Sequence, residues 1–155
     1  MDKHPHLDGS GMLVLYATLS PIHNDYCNGA ESINMNMLED LNQIGFRHVT
    51  QWILKGDKIG PKSFDWEDHG GWLYAFVVSS EVKYIGLTDR VLRSRLSDYS
   101  HNKTSQPERI RNAIIREIMT GHAIDILGWR ESDKDVLVAE EARLRATYRP
   151  PWNRI

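Results

Sequence analysis

The sequence predicts an α+β fold with the order β-β-α-α-β-α, in which helices flank a small three-stranded sheet of mixed or antiparallel pairing. An almost continuous apolar run, Trp72–Val78, is typical of a strand that is buried on both faces. A second short run, Val82–Ile85, follows across the polar turn Ser79–Glu81, so the two runs predict a β-hairpin. Helical periodicity dominates the later residues, with one alternating stretch between the helices.

Residues 1–70 are predicted to form an N-terminal α/β extension of short strands and one helix. An apolar stretch at Met12–Leu19 predicts a strand, whereas residues 23–36 are rich in turn formers and predict a loop. Apolar residues at helical spacing predict a helix at Met37–Ile44, and Gly45 suits its C-terminal end.

The extension is predicted to continue with a strand at Phe46–Leu54 and a short hairpin that ends at Lys58–Pro61. The next segment, Ser63–Gly71, is acidic and ends in two glycines. We therefore place the boundary of the main domain, residues 71–155, at the end of this segment.

The first helix of the main domain follows Gly86, and Thr88 or Asp89 can cap it. Its apolar side includes one arginine, Arg95, rather than having that arginine on the opposite side. An unpaired buried charge is costly, so Arg95 must either be paired or line a cleft.

Three further elements complete the main domain. Pro107–Thr120 predicts a helix, since a proline opens it and a glycine follows it. His122–Trp129 alternates and predicts the third strand, with Ile124 and Ile126 on one face. Asp135–Tyr148 predicts the last helix, which two prolines end.

The composition is that of a globular protein that is not expected to cross a membrane, because no apolar run approaches ~18 residues. The start of the sequence lacks the apolar region of a secretory signal. The single cysteine, Cys27, excludes an internal disulfide and a zinc cluster built from cysteines. A cytoplasmic location is therefore expected.

Basic residues are concentrated in the middle of the main domain, where eight Lys or Arg and three Asp or Glu lie between Lys83 and Arg116. A local positive field of this kind favours phosphate binding. A solvated helix face gives the same pattern of charge, so the charge alone does not choose between these interpretations.

The hairpin and the helix after it resemble the GIY-YIG nuclease superfamily. Tyr84-Ile85-Gly86 matches the second half of the motif, whereas Trp72-Leu73-Tyr74 stands where the family has Gly-Ile-Tyr. The helix arginine of the family falls on Arg95, with Arg93 as the competing assignment. Tyr99 occupies a position that is usually His or Tyr in the family.

The end of the chain carries the rest of the resemblance. The metal-binding glutamate of the family corresponds to Glu141, nine residues before Pro150, and Asn153 closes the Pro-x-x-Asn pattern. The neighbouring Glu140 would point about 100° away on a helix, so one of the two glutamates can face the site.

The resemblance implies a metal-dependent endonuclease that hydrolyses phosphodiester bonds of DNA, expected to be double-stranded. A single Mg²⁺ or Mn²⁺ ion would be held by Glu141, and one tyrosine would orient or deprotonate the water. The sequence does not choose between Tyr74 and Tyr84 for that role. The implied catalytic residues are Tyr74, Tyr84, Arg95, Tyr99, Glu141 and Asn153.

Five basic residues are predicted to contact the nucleic acid: Arg90, Arg93, Lys103, Arg109 and Arg116. Because one site cuts one strand, cleavage of a duplex requires two events or a homodimer. Two other interpretations stay open at this point. The chain is then either a non-catalytic nucleic-acid-binding protein on the same fold, or an interaction protein in which the tyrosines belong to the core.

Overall fold

The computed structural model describes residues 29–65, 69–101 and 103–154, so the strand predicted at Met12–Leu19 lies outside the described residues. The elements in chain order are α1 (Gly29–Ile44), β1 (Arg47–Lys55), β2 (Lys58–Pro61), β3 (Trp72–Val78), β4 (Glu81–Thr88), α2 (Leu92–His101), α3 (Ser105–Met119), β5 (Ile124–Arg130), α4 (Lys134–Tyr148) and a 3₁₀-helix (Pro151–Arg154). None of the helices in this part of the chain is long and apolar enough to cross a membrane.

The five strands form one sheet in the order β2-β1-β5-β3-β4, and every neighbouring pair is antiparallel. The α+β class is confirmed, but the prediction of three strands is wrong, because β1 and β2 join the same sheet. Gln51 of β1 pairs with Asp125 of β5, and Trp52 pairs with Ile124. Since Trp52 is buried in the same core as Phe76 of β3, this pairing extends the hydrophobic core toward β1.

Helices cover both faces of the sheet, and β3 is therefore buried along its whole length. Alternate residues of β3, from Trp72 to Val78, pack with α2, α3 and the 3₁₀-helix. The residues between them, such as Leu73, pack with α1 and α4. The near-continuous apolar run therefore has the double-sided burial that the sequence predicts.

Helix α1 begins at Gly29, so the prediction of a loop over residues 23–36 is wrong for its second half. Asn34 and Asn36 are weak helix formers that obscure the local pattern, and the favourable burial comes from later positions such as Met37 and Leu41. The predicted end is confirmed. Gly45 has a φ of 118°, and the N–H of Phe46 donates to the carbonyl of Leu41 at 2.9 Å.

The β3–β4 hairpin turns at Ser79 and Ser80, which both adopt positive φ and thereby match the twist of the strands. A register shift lies between Phe76, which pairs with Tyr84, and Val77, which pairs with Val82. Further along the pair, Gly86 lies opposite Tyr74. The hairpin therefore brings both motif tyrosines to the face that α2 covers.

Candidate active site

Three tyrosines form a buried hydrogen-bonded chain between the hairpin and α2. The hydroxyl oxygens of Tyr74 and Tyr99 are 2.7 Å apart, and the Tyr99 hydroxyl donates to that of Tyr84 at 3.2 Å. Each side chain is at most 3% exposed. The structure thus brings together three residues that the sequence places in different elements.

Arg95 connects this chain of phenols to solvent. Its Nε donates to the Tyr74 hydroxyl at 3.0 Å, and its guanidinium lies 5.4 Å from the centre of the Tyr99 ring. Its Nη1 also donates to Asp98 at 3.3 Å. The prediction that Arg95 is either paired or lines a cleft is therefore confirmed, and both alternatives hold. Arg93, the competing assignment, instead donates to the carbonyl of Phe64 at 2.7 Å and stacks on its ring.

Gly86 leaves the room that the Tyr74 ring needs. A Cβ atom added at Gly86 would come within 2.4 Å of Cζ and 2.5 Å of the hydroxyl of Tyr74. Both distances are far below van der Waals contact, so a larger residue would displace the ring. The glycine of the second half-motif therefore has a direct steric reason here.

Burial raises the pKa of the Tyr74 phenol far above its ordinary value; the neighbouring Tyr84 also raises it, and Arg95 lowers it. Burial likewise raises the pKa of Tyr99. Tyr74 and Tyr99 therefore stay protonated at neutral pH and donate hydrogen bonds. Because the Tyr99 proton goes to Tyr84, donation runs from Arg95 through Tyr74 and Tyr99 to Tyr84.

Glu141 is on α4, outside the cleft lining itself, and the charge of Arg95 acts on its carboxyl group. Burial raises the pKa of Glu141, whereas the charges of Arg145 and Arg95 lower it, so its carboxylate is within the electrostatic range of Arg95. Its contact with Arg145 is long, at 3.5 Å. Leu137, one turn earlier on the same face of α4, lines the cleft that Arg95 also lines.

Glu140 faces away from this site. Its carboxylate accepts from Arg143 at 2.9 Å, and Arg143 in turn forms two hydrogen bonds with Asp40 of α1. Tyr148 donates to the same Asp40 carboxylate at 2.7 Å. Of the two adjacent glutamates, Glu141 is therefore the one near Arg95.

A cleft of ≈ 550 Å³ opens beside these residues, and Arg95 and Arg90 line it. Thr88 also lines it, and the Thr88 hydroxyl accepts from the backbone N–H of Arg90 at 3.0 Å. Because α2 begins at Leu92, this bond closes a turn ahead of the helix, and the prediction that Thr88 or Asp89 caps α2 is wrong. The cleft lining does not include the three phenols, which lie behind Arg95. Lys134 also lines the cleft, from the start of α4, and no local pattern in the sequence distinguishes it.

Asn153 is hydrogen-bonded to the backbone of β4 and does not line the cleft. Its Nδ2 donates to the carbonyl of Ile85 at 2.8 Å, and its Oδ1 accepts from the N–H of Ile85 at 2.9 Å. Ile85 lies between Tyr84 and Gly86 of the motif. The side chain of Asn153 thereby holds the strand that carries the second half-motif.

The basic residues that were predicted to contact nucleic acid are spread over the molecule. Arg90 lines the cleft and also forms an ion pair with Asp98. Lys103 is exposed between α2 and α3, whereas Arg109 and Arg116 are exposed on α3, which packs on β1, β2 and β5. The structure therefore brings Arg90 to the cleft and places the α3 arginines on another surface.

Trp72, at the position where the family has glycine, is buried within the sheet. Its indole N–H donates to the carbonyl of His69 at 3.0 Å. A Cβ atom added at Gly128 would lie 3.3 Å from the Trp72 ring, so the indole covers that glycine of β5. Trp72 therefore packs over a neighbouring strand and does not line the cleft.

No family model and no curated protein match this sequence. Among solved structures, a mutant of bacteriophage T4 EndoII is similar, with a TM-score of 0.59 and 19% sequence identity. The similarity covers 75% of this chain and 97% of the EndoII chain. At this identity the comparison shows a shared fold.

Proposed function

We propose that this protein is a metal-dependent endonuclease that hydrolyses phosphodiester bonds of DNA. The observation that carries the proposal is the position of Arg95. Its charge lines an open cleft, its orientation is fixed by Tyr74, and Glu141 lies within its field. The fold shared with T4 EndoII, a phage endonuclease by its name, supports a nuclease.

In this mechanism Arg95 binds the phosphate that is cut. A guanidinium donates two parallel hydrogen bonds to phosphate oxygens, and these bonds strengthen as negative charge builds in the transition state. The bond from Nε to Tyr74 and the contact with the Tyr99 ring fix the plane of the group before substrate binds. Such preorganisation reduces the reorganisation needed during the reaction.

Glu141 is the residue that would hold the divalent ion. Within residues 29–65, 69–101 and 103–154 no group of three or more His, Cys, Asp or Glu could enclose a metal. A single carboxylate is nevertheless sufficient for Mg²⁺, which keeps several waters and takes phosphate oxygens as ligands. The half-buried Glu141 carboxylate fits, because its long contact with Arg145 leaves an oxygen available. A bound cation would supply charge neutralisation and an acidic water at the phosphate.

The tyrosines act in this proposal as donors that position groups, rather than as bases. A general base must lose its proton near the working pH, and burial opposes this for Tyr74 and Tyr99. Donation from Tyr74 through Tyr99 to Tyr84 links the three buried hydroxyls behind Arg95, so this chain of phenols positions the guanidinium. One site of this kind cuts one strand, so we propose that duplex cleavage uses a homodimer or two successive events.

A plasmid-nicking assay with Mg²⁺ and Mn²⁺ tests the proposal. Glu141→Gln and Arg95→Ala are expected to lower the cutting rate by about 100-fold or more, as the loss of one transition-state contact does. The matched controls are Glu140→Gln and Arg47→Ala, which change the same residue types at positions away from the cleft. Equal cutting by Glu141→Gln and Glu140→Gln would contradict the assignment of Glu141.

A non-catalytic DNA-binding protein is the second candidate, and one observation favours it. The three phenols are buried behind Arg95 and are absent from the cleft lining. This function predicts salt-sensitive binding of DNA without cutting in either metal. Wild-type protein that binds DNA and leaves plasmid intact would select it over the endonuclease.

A further inference from the structure

A second depression, here called the hairpin groove, lies between the β1–β2 hairpin and α2. It has a volume of ≈ 560 Å³, and Lys55, Lys58, Lys62 and Arg93 line it. Asp65 is the carboxylate in its lining. Four fixed positive charges against one negative charge give the groove a strong preference for an anionic partner.

The walls of the hairpin groove are held in place by bonds that leave its lysine ammonium groups exposed. The backbone carbonyl of Lys62 accepts from the Thr50 hydroxyl at 2.8 Å, and the backbone N–H of Lys62 donates to the carbonyl of Gln51 at 2.8 Å. Arg93 fixes the opposite wall through its contact with Phe64. The groove is therefore a formed surface rather than a chance arrangement of long side chains.

The hairpin groove and the cleft lie on opposite sides of one helix. Arg93 lines the groove and Arg95 lines the cleft, and two positions on a helix differ by about 200°. Ser97 and Ser100 continue the groove side of α2 at helical spacing. The two depressions are thus separated by the width of α2, about 10–12 Å with its side chains.

We propose that the hairpin groove binds backbone phosphates of a second stretch of the same DNA duplex whose cut phosphate occupies the cleft. This inference rests on the proposed function and extends it to a surface without catalytic residues. The width of α2 matches the ~12 Å major groove of B-DNA, so phosphates of both strands reach the two sides of the helix. A single flexible strand would have to wrap around α2 to reach both sides.

The chemistry of the lining favours backbone contacts over base recognition. Lysine presents a point charge and serine a small hydroxyl, and both bind phosphate oxygens without reading sequence. The aromatic ring in the lining, Phe64, is covered on one face by Arg93 and is partly buried against the core, so it is poorly suited to base stacking.

The experiment measures how the affinity for duplex DNA depends on salt concentration. The Lys55→Gln/Lys58→Gln double variant is compared with its parent, and both carry Glu141→Gln so that the DNA stays uncut. Each lost phosphate contact lowers the magnitude of the slope of log K against log salt by about 0.9. We therefore expect a decrease of about 2 for a duplex and little change for a single strand of the same sequence. The control is Arg47→Gln, at the other end of β1 and about 26 Å away along the strand.

Four results would overturn the inference. An unchanged duplex slope, or a parent chain that does not bind duplex, would leave the lysines only the role of protecting the β2 sheet edge. The same decrease with single-stranded DNA would exclude contacts to two strands, and an equal decrease in Arg47→Gln would indicate a diffuse field. Cutting by the wild type is measured separately, so failure of the endonuclease proposal is distinguishable from failure of the groove.

Discussion

The substitution Asn153→Asp tests the link between the 3₁₀-helix and β4 with almost no change of shape. At neutral pH the aspartate still accepts from the N–H of Ile85, but it has no hydrogen to donate to the carbonyl of Ile85. One net hydrogen bond, about 1 kcal/mol, is lost, and an unpaired carbonyl faces a carboxylate, which costs about 1–3 kcal/mol more. Because Asn153 is half-buried, we expect the lower end, about 2 kcal/mol in all.

The pH dependence gives this prediction a distinctive sign. A protonated carboxyl donates one hydrogen bond and accepts another, as the amide does, so the protonated form at position 153 is favoured in the folded state. Its folded-state pKa therefore rises above the unfolded value of about 3.9. The stability regained by protonation is complete below the unfolded pKa and is lost as the pH rises through the folded pKa.

Chemical denaturation followed by tryptophan fluorescence measures the effect at pH 7 and at about pH 4. The deficit of Asn153→Asp relative to wild type should shrink at the lower pH, whereas Asn153→Ala should keep a deficit of about 2 kcal/mol at both. Asn112→Asp, on the exposed side of α3, is the matched control and should stay within about 0.5 kcal/mol of wild type. A deficit for Asn153→Asp that does not depend on pH would refute the reasoning.

Two further predictions concern packing and charge. Gly86→Ala should destabilise the protein by about 1–3 kcal/mol, because the new Cβ atom overlaps the Tyr74 ring. The control is Gly60→Ala, whose new Cβ atom meets only the flexible side chain of Lys55, at 3.3 Å. It should change the free energy of unfolding by less than about 0.5 kcal/mol. Equal effects of the two substitutions in urea denaturation would contradict the steric account of Gly86. The hydrogen bond from Arg143 lowers the pKa of Asp40 below 3.8, so their pairing contributes stability above that pH and the contribution is lost as the pH falls through the lowered value. Arg143→Gln should therefore be less stable than wild type at pH 7, and the difference should shrink as the pH falls through the lowered pKa of Asp40. A difference in the unfolding midpoint that persists undiminished through an acid titration would contradict this assignment.

Local patterns predicted the elements better than their pairing. The apolar run of β3 and the glycine after α1 have signatures within a few residues, and both predictions hold. The pairing of Gln51 with Asp125 joins residues 74 positions apart, and neither strand carries a local mark of its partner. A strand that is apolar on one side can pair with any sheet that has a free edge. The sequence therefore did not indicate that β1 joins the sheet of the main domain, and β1 was predicted to lie in the N-terminal extension.

The site shows the same division. Helical spacing was sufficient to put Arg95 on the inner side of α2 with Tyr99, and the structure adds the hydrogen bond to Tyr74. The bond between Asn153 and the backbone of Ile85 could not be predicted, because any strand offers the same N–H and carbonyl groups. Lys134 lines the cleft because α4 begins beside it, and no pattern of residues in the sequence predicts that position.

The packing of Trp72 over Gly128 implies that volume is shared between adjacent strands at this level of the sheet. Gly128 lies between two large neighbours, because a Cβ atom added there would come within 3.0 Å of Val49 on β1 and 3.3 Å of Trp72 on β3. The side-chain volumes at positions 49, 72 and 128 are therefore constrained together. A residue larger than glycine at position 128 requires smaller side chains at both positions 49 and 72, so Trp72 is one member of a packing set that spans three strands.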